Sequence, residues 1–407
     1  MTLRSNRPLV ALIAAQAVSS LGSQMTFLAL PWFVLVTTGS AARMGVVLAV
    51  ELLPVALFGI PSGSLVARLG ARQTMIVGDL ARVPLLAGIP LLHAAGVLTF
   101  PVLLAGVFLI GCFLAPYFSA QRLILPELVG DDERTVAQAN AVLEGAQRTT
   151  ALLGPSTAGV LIAVVGATDV LYVDAATFLL SGLALALLVP RRPPLAASDE
   201  GKGLLAGVRF IARDRLLAPL GVTSLFLNMF GQMLAASLPV LAYVEYGGSS
   251  RVAGAFFGAF GAGAVVGSVA AVKLVPRVDP LRLGTVSLVA LTLPIWLLAL
   301  ELPVIGVVAV LFVSSIFGPL INAPLIGLIT MRTPAAIRAK VMTAVLTFAL
   351  LAGPVGLVAV GPLLEAWGPR RVFLLIAAGQ LAAALFFVGA VVARRVGDEA
   401  PAAVAGR

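Results

Sequence analysis

Two acidic residues, Glu51 and Asp174, stand in long apolar stretches with no basic residue within a helical turn. A charged side chain at mid-membrane costs about 2.5 to 3.5 kcal/mol on insertion scales, so an acidic residue in such a stretch indicates a structural or functional role. A carboxyl group that keeps its proton in apolar surroundings until water arrives can act as a proton carrier. Glu51 is therefore a candidate for proton coupling or cation contact, unless it is a neutral acid bonded to a neighbouring helix. Asp174 is a second candidate, although a capping or interfacial role is favoured.

Two acid–base pairs lie in other apolar stretches. Asp79 and Arg82 are three residues apart, and Glu144 and Arg148 are four apart with the acid first, the better orientation for a helical ion pair. Each pair neutralises itself about 10 Å from the end of its stretch, at roughly 1.5 Å per residue. Both pairs are candidates for gating charges or for structural ion pairs, and Glu144 is a further proton-coupling candidate.

Amides and hydroxyls recur every four residues on two apolar stretches, which places them on one helix face. Such a stripe can line a cavity for a mostly apolar substrate, or it can bond neighbouring helices. The substrate-cavity candidates are Gln16, Ser20, Gln24, Phe27 and Trp32 in the first stretch, and Asn228 and Gln232 in the seventh.

The elements that carry these residues are membrane helices. The chain of 407 residues is 60% hydrophobic and 11% charged, with a mean hydropathy of +1.08, which excludes a soluble single-core domain. Twelve apolar stretches are each long enough to cross a hydrocarbon core of about 30 Å. They cover residues 9–36, 43–66, 73–95, 99–121, 137–165, 170–190, 214–242, 251–275, 283–300, 304–330, 338–364 and 369–393.

Charge sets the expected orientation. With both termini in the cytoplasm, only four of the 27 Lys and Arg lie outside, namely Arg43, Arg251, Arg370 and Arg371. The net charge of +9 is therefore spread over loops at the membrane, without the basic patch that nucleic-acid binding requires. No cleavable signal peptide is evident, so the first stretch should remain as a span in the cell membrane.

The single long hydrophilic interval divides the chain. It predicts a six-helix bundle over 1–190, a cytoplasmic linker over 191–213 and a second six-helix bundle over 214–407. The stretches GSLVARLGAR and GSVAAVKLVPR, half a chain apart, echo one another and indicate parallel repeats.

Several segments resemble the major facilitator superfamily, and in particular its drug and siderophore exporter branch, which includes macrolide efflux pumps and the enterobactin exporter. They are SSLGSQMTFLALPWFVLVTTGSA, GSLVARLGARQ, GDLAR, LPELVGDDERTVAQANA, LLGPSTAGVLIAVVG and VDAATFLLSGLAL. The resemblance implies an all-α membrane protein with twelve transmembrane helices in two six-helix bundles.

Two family motifs map onto this chain in part. In the loop pattern Gly-x-Leu-Ala-Asp-Arg-x-Gly-Arg-Lys, the family's acid and first paired base belong to a charge relay that latches the cytoplasmic side, and both are alanine here, Ala67 and Ala71. In the span-five antiporter motif Gly-Pro-x-x-Gly-Gly, Ala158 replaces the first of the paired glycines, and generic helix packing is the alternative role. The matching residues are Gly63, Leu65, Arg68, Gly70 and Arg72 in the loop, and Gly154, Pro155 and Gly159 in span five.

Together these features favour a secondary transporter, with proton-coupled export of amphipathic small molecules such as drugs, macrolides or siderophores as the first hypothesis. The alternatives are a facilitator or importer of one metabolite and a transport-incompetent scaffold or sensor. Enzyme function, metal and cofactors are not expected, because the chain has one Cys, one His, no P-loop and no Gly-x-Ser-x-Gly motif. We expect a monomer whose partners are the substrate, protons and the lipid bilayer.

Overall fold

A computed structural model describes residues 6–130, 132–191, 204–214, 216–334 and 337–404 of the chain. These residues form thirteen α-helices and one 3₁₀ helix. The α-helices are α1 (Arg7–Thr38), α2 (Ala41–Leu69), α3 (Ala71–Ala94), α4 (Phe100–Cys112), α5 (Leu114–Val129), α6 (Glu133–Val165), α7 (Ala167–Leu188), α8 (Leu204–Arg213), α9 (Leu217–Glu245), α10 (Ser250–Leu274), α11 (Pro280–Thr292), α12 (Val304–Arg332) and α13 (Arg338–Val404). The 3₁₀ helix is Pro294–Ala299 and follows α11.

Eleven stretches of the described residues are long and apolar enough to cross a membrane. One of them, Ala352–Ala393, has 42 residues, whereas about 20 suffice for one crossing. Gly368 interrupts it with φ 75° and ψ 166°, a conformation outside the helical region. This stretch therefore supplies two crossings and the other ten supply one each, so the predicted twelve-helix, all-α membrane fold is confirmed.

Short polar side chains begin several helices, as the sequence pattern of Ser, Asp and Asn before apolar stretches predicts. Asn6 accepts a hydrogen bond from the Leu9 N–H, and Ser40 accepts one from the Arg43 N–H. Asp132 accepts hydrogen bonds from both the N–H and the hydroxyl of Thr135 in the first turn of α6. These bonds hold the pKa of the Asp132 carboxyl below its usual range. The Ser40 cap lets α2 start with only two residues between it and the end of α1.

The chain packs into two compact units. The first consists of Met1–Asp199 and Leu238–Gly258, and the second of Glu200–Ser237 and Ala259–Arg407. The chain thus passes from one unit to the other within α9 and again within α10. The bundle and linker boundaries expected from the hydrophilic interval follow chain order alone, and they stay a prediction.

Each unit has its own apolar core. In the first unit, α1, α3, α5, α6 and α7 contribute fully buried aliphatic side chains such as Leu12, Met75 and Leu125. In the second, α9, α11, α12 and α13 do so, and the amphipathic helix α8 adds Ile211. Tyr117, which takes part in the polar site described next, belongs to the core of the first unit.

Candidate functional site

Asp79 and Arg82 of α3 form a buried ion pair in the first unit. A guanidinium nitrogen of Arg82 lies 2.8 Å from Asp79 Oδ1, and the two residues are 3% and 0% exposed. Arg82 Nε also donates to the Gly78 carbonyl at 2.8 Å. Asp79 Oδ2 accepts from the Ser181 hydroxyl of α7 at 2.7 Å and from the Tyr117 hydroxyl of α5 at 3.2 Å. Both carboxyl oxygens of Asp79 therefore have partners within the protein, without water.

A chain of hydrogen bonds joins this pair to α1. The Tyr117 hydroxyl accepts from Gln16 Nε2 at 2.6 Å, and Gln16 Oε1 accepts from Gln121 Nε2 at 2.6 Å. The guanidinium carbon of Arg82 lies 4.6 Å from the centre of the Tyr117 ring and 4.1 Å from that of Phe178 on α7. Such cation–π contacts stabilise the charge of the guanidinium in addition to its carboxylate.

Asp174 is buried between α7 and α1, in the third turn of α7, with 1% of its surface exposed. Its Oδ2 accepts from the Thr26 hydroxyl of α1 at 2.6 Å, and its Oδ1 accepts from the Thr177 hydroxyl at 3.0 Å. A Cβ at Gly22 of α1 would collide with Asp174 Oδ1 and Thr177 Oγ1, so glycine is needed for this close approach. Within the described residues, no Lys or Arg lies within ion-pair distance of Asp174.

Glu51 of α2 is half-buried, and no hydrogen bond or ion pair joins its carboxyl group to another described residue. It interacts electrostatically with Asp174, which in turn interacts with both Asp79 and Arg82. A Cβ at Gly111 of α4 would collide with the Glu51 carbonyl oxygen, so α2 and α4 lie in close contact here. Three acids that are far apart in sequence thus share one region of the first unit.

Glu144 and Arg148 form a different kind of pair. They lie on α6 at 4.0 Å, the upper limit for an ion pair, with side chains 69% and 66% exposed. Exposed pairs of this type contribute about 0 to 1 kcal/mol. They stay candidates for gating or proton coupling on the basis of sequence alone.

The loop-motif residues surround the turn between α2 and α3. Gly70 has φ 85°, a conformation that favours glycine, and its N–H donates to the Val66 carbonyl. Arg72 donates through Nε to the Val189 carbonyl and through a terminal nitrogen to the Ala186 carbonyl, both at 2.6 Å, and so caps the end of α7. The other three motif residues, Gly63, Leu65 and Arg68, are exposed on α2.

The span-five motif residues lie on α6, where the chain comes closest to two neighbouring helices. A Cβ at Gly154 would collide with Gln24 of α1, and one at Gly159 would lie 2.7 Å from the Gly254 Cα of α10. The Ser250 hydroxyl of α10 donates to the Gly159 carbonyl at 3.0 Å. Pro155 lies within the same helix. Small residues at these positions permit backbone contact between α6 and α10 within the first unit.

The polar stripe of α1 contacts neighbouring helices along its length. Besides Gln16, the Ser20 hydroxyl shares a hydrogen bond of 2.7 Å with the Thr150 hydroxyl of α6. The Phe27 ring packs edge-on against Phe257 at 5.7 Å, and Trp32 packs against Tyr243 at 6.2 Å. Trp32 is buried, while Phe27 is 41% exposed.

The stripe of α9 belongs to the second unit. The exposed Asn228 donates through its amide to the Ser224 carbonyl at 2.9 Å. The half-buried Gln232 lies beside Gly353 of α13, where a Cβ would be 3.4 Å from the Gln232 Cγ. These two residues keep their place as cavity candidates.

Sequence reasoning missed the groups that complete the buried site, namely Tyr117, Ser181, Thr26 and Gln121. Each is a polar residue within an otherwise apolar stretch, 38 to 148 residues away from the acid or amide that it bonds. Their position in apolar stretches was the only sequence signal that could have identified them as site residues. Among the described residues there is no group of three or more His, Cys, Asp or Glu that could hold a metal ion.

The sequence profile of the Major Facilitator Superfamily matches residues 12–357. Among curated proteins, the multidrug efflux pump Tap of Mycobacterium tuberculosis strain H37Rv is 28% identical over 389 residues, covering 92% of this chain and 91% of Tap. The Tap protein of Mycolicibacterium fortuitum is 28% identical over 399 residues, covering 94% and 95%.

Solved structures share the fold. The nucleoside transporter NupG superposes with a TM-score of 0.76 at 16% identity, covering 96% of this chain and 99% of NupG. A bacterial homologue of the human lysosomal transporter Spinster, in an inward-facing and occupied conformation, gives a TM-score of 0.75 at 16% identity, covering 96% and 97%. At these identities the likeness concerns the fold alone.

Proposed function

Because this chain belongs to the Major Facilitator Superfamily, and is thus a multi-pass membrane transporter and not an enzyme, we propose that it exports amphipathic small molecules in exchange for protons. The substrate class would include drugs, macrolides or siderophores. The two relatives named multidrug efflux pump, aligned over more than nine-tenths of the chain, support the direction and the class.

The observation that carries proton coupling is the buried acid group of the first unit. Asp79 has an arginine partner, whereas Asp174 is equally buried and has only hydroxyl donors among the described residues. An unpaired carboxylate in a membrane interior is costly, and a carboxyl group that binds and releases a proton avoids that cost. Asp174 and Glu51 are therefore the first proton-coupling candidates.

Proton coupling suffices for efflux. One proton moving through about 150 mV releases about 3.5 kcal/mol, at roughly 2.3 kcal/mol per 100 mV. At about 1.4 kcal/mol per decade, this sustains a substrate gradient of a few hundredfold. The chain would work as a monomer with both termini in the cytoplasm, as the distribution of Lys and Arg favours.

Transport of a fluorescent amphipathic dye tests the proposal. In cells that express the protein, dissipating the pH gradient should raise dye retention, and unchanged retention would contradict proton coupling. Glu51→Gln should abolish the pH dependence while leaving expression intact. Glu301→Gln, which changes an exposed acid between two spans, is the matched control and should leave transport unchanged.

A further inference from the structure

Arg82 is the one buried basic residue among the described residues of the first unit. Arg82 pairs with Asp79 at 2.8 Å, and both Arg82 and Asp79 interact electrostatically with Asp174 of the neighbouring helix α7. Glu51 of α2 interacts with the same Asp174, and Tyr117 is the titratable group that α5 presents to Asp79. One guanidinium can neutralise one carboxylate, so the group as a whole balances its charge only if the other acids hold protons.

Arg82 contacts Asp79 directly, and its guanidinium packs against a residue of α7, the helix that carries Asp174. Asp174, Phe178 and Ser181 are spaced i, i+4 and i+7 on α7 and therefore share one helix face. Ser181 bonds Asp79, and the Arg82 guanidinium lies over the Phe178 ring at 4.1 Å. Phe178 is about 6 Å from Asp174 along the helix axis, at roughly 1.5 Å per residue. A flexible arginine side chain can cover that distance by changing rotamer.

We propose that Arg82 is a shared counter-ion, which pairs alternately with Asp79 and Asp174. In either state one of the two aspartates is ionised and paired with the Arg82 guanidinium, and the other is protonated. When Arg82 changes partner, the carboxyl that it leaves gains an O–H bond, and the carboxyl that it joins loses one. The charge of the site is unchanged in the exchange, and the proton site moves from one helix to the other.

Helix α1 contacts both partners of the exchange. Thr26 donates to Asp174, and Gln16 donates to the Tyr117 hydroxyl, which itself donates to Asp79. An exchange at Arg82 therefore alters hydrogen bonds at both places on α1. This helix also carries the polar stripe proposed for the substrate cavity. The inference rests on the proposed function and describes how Asp174, one of its proton-coupling candidates, gains and loses its proton.

Infrared difference spectroscopy of the purified full-length protein tests the exchange without any substrate. The readout is the C=O band of a protonated carboxylic acid, measured in a Glu51→Gln background so that only the two aspartates contribute. One band is expected. Asp174→Asn should remove it, because Arg82 then keeps Asp79 ionised.

Asp79→Asn separates the proposal from a fixed ion pair. If Arg82 can change partner, it ionises Asp174 and the band disappears. If Arg82 cannot move, Asp174 keeps its proton and the band persists, which would overturn the proposal. Asp169→Asn, an acid in the first turn of the same helix, is the control and should leave the band unchanged.

Tyr117→Phe provides a second test should Asp79→Asn fail to fold. It removes one hydroxyl donor from the Asp79 carboxylate and keeps the ring under Arg82. The midpoint of the band's pH titration should then move to higher pH by about one unit, a tenfold change in proton concentration. A loss of stability with an unmoved midpoint would contradict the proposal.

The two proposals fail separately. If efflux does not depend on the pH gradient but the infrared C=O bands of the variants change as expected, the proposed function is refuted and the proposal of a shared arginine is not. Efflux that depends on the gradient, in a protein whose Asp79→Asn variant keeps its band, would refute the shared arginine alone.

Discussion

Replacing Arg72 by alanine should destabilise the first unit, because its guanidinium caps the carboxyl end of α7. Two hydrogen bonds of 2.6 Å, to the Val189 and Ala186 carbonyls, would be lost. Hydrogen bonds from charged groups contribute about 1.5 to 3 kcal/mol each. A cation at a helix carboxyl end adds about 0.3 to 1 kcal/mol. Arg72 is half-buried, so water can replace part of this, and the net loss should be about 2 kcal/mol.

Arg68 is the matched control for this experiment. It lies in the same turn region, is exposed, and forms no hydrogen bond or ion pair with the described part of the chain. Equilibrium unfolding in mixed detergent micelles, followed by circular dichroism, measures both variants. Arg68→Ala should change the free energy of unfolding by less than about 0.5 kcal/mol. Equal losses for the two variants would refute the capping role of Arg72.

Three further predictions use the same unfolding assay. Gly159→Ala places a Cβ against the backbone of α10 and should cost about 1 to 3 kcal/mol, whereas Gly145→Ala, on the same helix but facing open space, should cost little. The hydrogen bond and charge of Arg370 hold the pKa of Glu301 below its usual range, so the pair stabilises the protein where Glu301 is ionised and stops doing so when falling pH protonates it. Glu301→Gln should therefore make the free energy of unfolding fall less steeply as the pH is lowered. Ala71→Arg puts a guanidinium at a position only 2% exposed in an apolar core, and should sharply lower the yield of folded protein.

The fold was predictable because apolar length carries most of the information in a membrane protein. Backbone groups in lipid must be bonded internally, so a long apolar stretch has few options other than a helix. The boundary at Gly70 followed from the same logic, since a glycine between two apolar stretches supplies the positive φ of the turn. Helices that exceed their apolar stretch, such as α6, were underestimated because their polar first turns continue the helix outside the core.

The candidate site was predictable only one residue at a time. Sequence identified the Asp79 and Arg82 pair by spacing and Glu51 and Asp174 by their apolar context. It could not show that Arg82 packs against α7, the helix that carries Asp174, because the two residues are on different helices and no periodicity links them. Gln16 illustrates the limit in another way: the stripe placed it on one face of α1, but only packing against α5 revealed that this face bonds Tyr117.

The departures from the family's loop pattern have a physical basis in the packing around α3. Ala71 stands where the pattern has a base, and it is buried in the core of the first unit beside Met75. A charged side chain there would need a buried partner, and the acid position of the same pattern, Ala67, offers none. The second of the paired bases, Arg72, uses two of its donors to bond the end of α7. If the cytoplasmic side of this transporter is latched, the latch must therefore use residues outside the two alanine positions.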